Sequence, residues 1–268
     1  EKKMTISINQ LFILQETLVE KLFNEFININ IKEIYNDSFF DNFAEVIAKY
    51  KIKVVFDDSD SKRKVVSGRT RLSNDSKIHY IIYLYVPQEH NDLGEQTLRE
   101  TINTLLHEFS HCMILNILKK LSSNESKHKI INRFITSPNV IVSFNINDIS
   151  KDNCESFLKY IFDVRERSVW AFTIAFSHFY HNGNQSIYKS TTLNDKYILG
   201  FKEHLISPKV LNEYICSLND DMLALFQIQY AIHVLDNKKK WINKLTSLLN
   251  LIDKYHKRLG QRNNELKK

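Results

Sequence analysis

Glycine and proline are scarce: the chain has five of one and three of the other in 268 residues. Tight turns depend on these two residues, so a many-stranded β protein is disfavoured and long helices are expected. Cysteine is almost as sparse. Cys112, Cys154 and Cys216 are odd in number, far apart and without a C-x-x-C pair. That excludes a disulfide framework and a zinc ribbon, and it implies buried thiols in a reducing compartment. No apolar run approaches the roughly 18 residues that span a bilayer, and no signal-peptide pattern stands among the first residues. The expected location is therefore the cytoplasm. No repeat, low-complexity tract or sustained heptad pattern is present.

Charge is plentiful and mixed. A net charge of +6 with a pI near 9.0 would tolerate an acidic partner. The lysines are dispersed, however, except at Lys238-Lys239-Lys240 and Lys267-Lys268. Such a balance fits a solvated surface better than a nucleic-acid site. A protein or peptide partner is expected, nucleic acid is only weakly supported and no membrane association is expected.

The stretch with chemical content is Thr101-Ile-Asn-Thr-Leu-Leu-His107-Glu108-Phe-Ser-His111-Cys-Met-Ile-Leu115, which contains H-E-x-x-H. Leu98, Ile102, Leu105, Phe109 and Met113 recur every three or four residues, the signature of a helix with a buried stripe. On that helix His107 and His111 stand one above the other, so both imidazoles can address one ion. Glu108 lies about 100° further round. It can reach a water at that ion as a general base and is badly placed to ligate it.

Upstream, helices are expected over about 6–35 and 38–50, with strands near 53–56, 64–70 and 78–86. In the strand Ile78-His-Tyr-Ile-Ile-Tyr-Leu-Tyr-Val86, Tyr80 to Val86 is the candidate for the edge on which a substrate backbone could pair, or for that edge's neighbour; in the plainer alternative it is a core strand of a small antiparallel sheet. Downstream, a strand at 140–144 precedes helices over about 153–162 and 164–180. From there the chain reads as entirely helical: Ser207-Pro208 starts one helix, another runs from about 219 to 235, and the last from about 241 to 259. The expected fold is α+β and helix-rich, with a small antiparallel sheet. Residues 1–190 form the domain that carries the motif, and 191–268 a helical extension packed on it.

A third ligand can come from two places. Glu166, 55 residues after His111, opens an apolar helix with small residues at Ala171 and Ala175. In the plainer alternative it only favours the helix N-terminus and pairs with Arg165 or Arg167. His128, 17 residues after His111, is the rival. Candidate donors to an oxyanion are Tyr160, His178, Tyr180 and His181. A second ligand pair at His178 and His181 is less favoured than an exposed helix end.

The segment from Tyr160 to Ala171 resembles H-E-x-x-H metallopeptidases encoded by bacteriophages, in which Y-x5-E-x-x-A-x-A follows the pentad. Tyr160, Glu166 and Ala171 keep that spacing, while Val169 replaces an alanine. The resemblance covers roughly residues 78–180. It implies a zincin-like domain, Zn2+ held by His107, His111 and Glu166, and peptide-bond hydrolysis with Glu108 as base. The His128 spacing resembles SprT-like proteases instead, with Lys129 where that family has glycine. That resemblance would imply cleavage of DNA-associated protein. A non-catalytic binding or virion protein on the same fold is the reading from a different class. Thermolysin-like enzymes carry a supporting carboxylate four residues after the ligand glutamate, and here that position is Trp170.

Overall fold

The computed structural model describes residues 38–57, 66–86, 95–121, 151–163 and 165–265. It divides into two compact units, Glu1–Ser137 and Pro138–Lys268. The expected helix over 6–35, the expected strand at 140–144 and His128 lie outside the described residues.

In the first unit, helix α1 (Ser38–Lys49) leads into strand β1 (Ile52–Asp57), followed by β2 (Ser67–Leu72) and β3 (Tyr80–Tyr85). The strand order is β1-β3-β2, with β1 parallel and β2 antiparallel to β3. The sheet is therefore mixed, a correction to the antiparallel sheet expected from sequence. Two reversals separate β1 from β3, so the two strands run in the same direction, and the short turn after Leu72 lets β2 take the far side of β3. The strand expected to be an edge or its neighbour is the central one. Among the described residues, β1 and β2 are the edges.

Alternation along β3 buries Tyr80, Ile82 and Leu84 on one face, as a half-buried strand requires. Helix α2 (Glu95–Leu121) packs against β2 and β3. Its 27 residues make a rod of about 40 Å. The expected stripe of Leu98, Ile102, Leu105, Phe109 and Met113 is buried. Phe109 meets Phe43 edge-on at 5.1 Å and Tyr50 at 5.8 Å, and Phe39 stacks on Phe43. These rings tie α1 to the motif helix. Between residues 101 and 114 α2 is buried on all but the face that carries Asn103, Thr104, His107 and His111, and Thr101 and Ser110 are among the buried residues. Their hydroxyls donate to the carbonyls of Thr97 and Leu106 one turn back, which removes the cost of burying them.

The second unit is helical throughout its described residues: α3 (Lys151–Ile161), α4 (Arg167–Asn182), α5 (Ile187–Lys202), α6 (Pro208–Cys216), α7 (Asp220–Val234) and α8 (Lys238–Glu265). Helix α4 is buried without a break from Ala171 to Phe179, with Ser168 and Val169 buried before it, and packs on α7 and α8. A helix apolar on all sides belongs in a core. Of the helices beyond residue 190, α7 and α8 pack on α4. Ser207 caps α6, its Oγ accepting from the Val210 N–H, with Pro208 at the first helical position.

Three sequence expectations change. His178 is wholly buried rather than at an exposed helix end. Cys216 is exposed, whereas Cys112 and Cys154 are buried as expected. The last helix is longer than expected at both ends, running from Lys238 to Glu265.

Candidate metal centre

The site starts from helix geometry. Four residues are slightly more than one turn, so α2 places His107 and His111 side by side, with Nε2 atoms 3.2 Å apart. Two imidazoles bound to one tetrahedral ion at about 2.0–2.1 Å would hold their nitrogens about 3.3 Å apart. The pair therefore has the spacing that one small ion asks of two ligands. Its rings stand 76° apart.

Glu166 occupies the N-cap position of α4, in αR conformation and without a side-chain cap bond. Arg165 donates its Nε to Asp163 Oδ1 at 2.7 Å, and Arg167 donates to Ser247 Oγ at 2.6 Å. The chain offers a His-His-Glu set of residues that could hold a metal ion: His107 and His111 stand in the first unit and Glu166 in the second. The donor set, two imidazoles and a carboxylate, is one that borderline cations accept.

Glu108 points elsewhere, as one residue of helical rotation demands. It is 8% exposed and lies beneath β2. Thr70 Oγ1 donates to Glu108 Oε2 at 2.6 Å and also lies 3.1 Å from the Glu108 carbonyl oxygen. The shorter contact has the length of a hydroxyl bonded to a carboxylate. Two residues earlier, Gly68 lets the strand come close. A Cβ there would fall 2.5 Å from Glu108 Cγ, 2.8 Å from Thr104 Cγ2 and 3.0 Å from Glu108 Oε1. One turn on from Glu108, burial and the nearby Glu108 carboxylate push the Cys112 thiol well above its ordinary range. Both causes favour its S–H form. Burial likewise raises the Tyr80 phenol, whose hydroxyl donates to Asn116 Oδ1 at 3.2 Å.

The remaining sequence candidates have varied fates. His178 turns Nδ1 to Asp221 Oδ2 at 3.0 Å and Nε2 to the Gln185 carbonyl at 2.9 Å. With both ring nitrogens engaged and no exposed surface, it drops out as an oxyanion donor and as half of a ligand pair. Tyr160, Tyr180 and His181 are half-buried. Trp170 stands on α4 as a half-buried residue where a supporting carboxylate was sought.

Thr70 and Gly68 escaped the sequence reading. The available signal was a glycine between β-prone residues, which marks a strand that another group approaches closely. In a chain with five glycines that signal carries weight.

No described helix is long and apolar enough to cross a membrane. No family model, curated protein or solved structure matches this chain.

Proposed function

We propose that the chain is a zinc-dependent metallopeptidase. The observation that carries this reading is the pair of Nε2 atoms 3.2 Å apart on α2, with a glutamate carboxylate supplied by the very next residue after His107. Two ligands and a base on one helical turn is the minimal kit for hydrolysis at a metal. Zinc suits the two imidazoles and Glu166 better than the hard oxygen-seeking cations do.

A zinc ion bound by His107, His111 and Glu166 would act as a Lewis acid and bring the pKa of a coordinated water toward about 7. Glu108 then takes the proton of the attacking water while the water oxygen bonds to the scissile carbonyl carbon. As the carbon–nitrogen bond breaks, Glu108 delivers that proton to the departing nitrogen. His107 and His111 would present their ring nitrogens from the half-buried face of a 27-residue helix. Strand β2, an edge among the described residues and the strand above Glu108, is the surface on which we place an extended substrate backbone.

The burial of Glu108 favours a second reading, in which the fold binds metal without turnover. One substitution separates the two. Glu108→Gln should keep zinc at the wild-type level and lose hydrolysis of fluorescein-labelled casein by at least about 100-fold. Zinc retained with casein cleavage unchanged would remove Glu108 from the chemistry. Zinc bound by a wild type that cleaves nothing would favour the binding reading.

A further inference from the structure

The Glu108 carboxylate has two oxygens, and β2 treats them differently. Oε2 receives the Thr70 hydroxyl at 2.6 Å. Oε1 lies against Gly68, where a Cβ would fall 3.0 Å from it and 2.5 Å from Glu108 Cγ, so only a glycine lets the strand pack this closely. A threonine hydroxyl has one hydrogen to give. Spent on Oε2, it fixes the rotation of the carboxyl group and leaves Oε1 packed against Gly68. Thr70 and Gly68 are on the same face of β2, since alternate residues of a strand point the same way.

We infer that Thr70 is the positioning residue for Glu108, fixing the orientation of its carboxyl group through Oε2. Its kinetic consequence rests on the peptidase reading; its structural consequence does not. Thr70 is not one of the proposed metal ligands, and its hydroxyl serves Glu108 first, with the Cys112 thiol as a further neighbour. A side chain held by a neighbour's hydrogen bond keeps its productive orientation at no cost during the reaction. A threonine is also stiff about χ1 on a strand, so the hydroxyl itself is well located.

The experiment compares wild type, Thr70→Val and Thr70→Ser, all loaded with zinc. Three quantities are read: zinc per chain, kcat and KM on fluorescein-labelled casein, and the infrared carboxylate stretch of Glu108. The stretch is isolated on 13C-glutamate-labelled protein by difference against Glu108→Gln. Thr70→Val should keep zinc and KM near wild type, lower kcat by about 10- to 100-fold and shift the Glu108 band. Thr70→Ser should restore both the band and kcat to within about threefold of wild type. An unmoved band and unchanged kcat in Thr70→Val would overturn the inference while leaving the peptidase reading standing. A wild type without casein cleavage would overturn the peptidase reading, and the band would still decide whether Thr70 holds Glu108. A Thr70→Val protein that does not fold would be replaced by Thr70→Ala with the same readouts and the same deciding outcomes.

Discussion

A methyl group added to Gly68 would lie 2.5 Å from Cγ of Glu108, closer than two carbons can stand. Gly68→Ala must therefore push Glu108 or β2 aside, since Thr104 blocks the neighbouring space at 2.8 Å. Overpacking of this kind costs about 1–3 kcal/mol, read as a lower urea midpoint. The same variant should lose casein hydrolysis and retain zinc, because the clash falls on the base and not on the histidines. Wild-type stability in Gly68→Ala would show that β2 has room to retreat.

The buried pair in the second unit gives a prediction independent of the metal. His178 and Asp221 are 3.0 Å apart with no exposed side-chain surface. His178→Ala strands the Asp221 carboxylate in the core, which costs about 3–5 kcal/mol. Equilibrium denaturation measures this. His178→Ala and Asp221→Ala together should destabilise by less than the sum of the two single changes, because they share one interaction. Additive losses would mean that the pair contributes nothing jointly.

Acid should weaken the same region through His256. Burial, and to a smaller extent the neighbouring His178 and Lys257, hold its imidazole below the ordinary 6.5; the Gly183 carbonyl and Asp253 oppose them. The unfolded chain then takes up the proton more readily than the folded one, so stability rises with pH through the window between the two values. It is complete above about pH 6.5 and falls as pH drops from there toward the folded-state value. Denaturation midpoints between pH 7.5 and 5.5 should decline less steeply in His256→Gln than in wild type. Equal slopes would exclude His256 as a contributor.

How much of this was legible in the sequence depended on whether the signal was local. The motif helix declared itself through Leu98, Ile102, Leu105, Phe109 and Met113, and the i, i+4 spacing of His107 and His111 survives as a 3.2 Å contact. Glu166, an acidic residue opening an apolar helix, could also be singled out from spacing and composition. Pairing order was not readable. Nothing in β1, β2 or β3 says that β3 lies in the middle, because the choice is made by turns and by packing on α2. His178 was misjudged for a related reason: its partner Asp221 is 43 residues away, and helical periodicity carries no record of a distant carboxylate. Thr70, 38 residues from Glu108, was hidden in the same way.

Metal binding should show itself in stability. An ion that binds the folded chain alone raises its stability by about 2.7 kcal/mol at a free concentration 100 times Kd. Thermal melts of chelator-treated protein should therefore rise on adding zinc, and the rise should vanish in His107→Ala and His111→Ala. A rise that survives both substitutions would place the ion elsewhere.

The most direct test is elemental analysis of the purified protein, wild type against His107→Ala, His111→Ala and Glu166→Ala. One zinc per wild-type chain is expected, with near-complete loss in either histidine variant and a marked loss in Glu166→Ala. Wild-type protein that takes up no zinc at stoichiometric level, or a Glu166→Ala variant that holds zinc as tightly as wild type, would contradict the proposed centre.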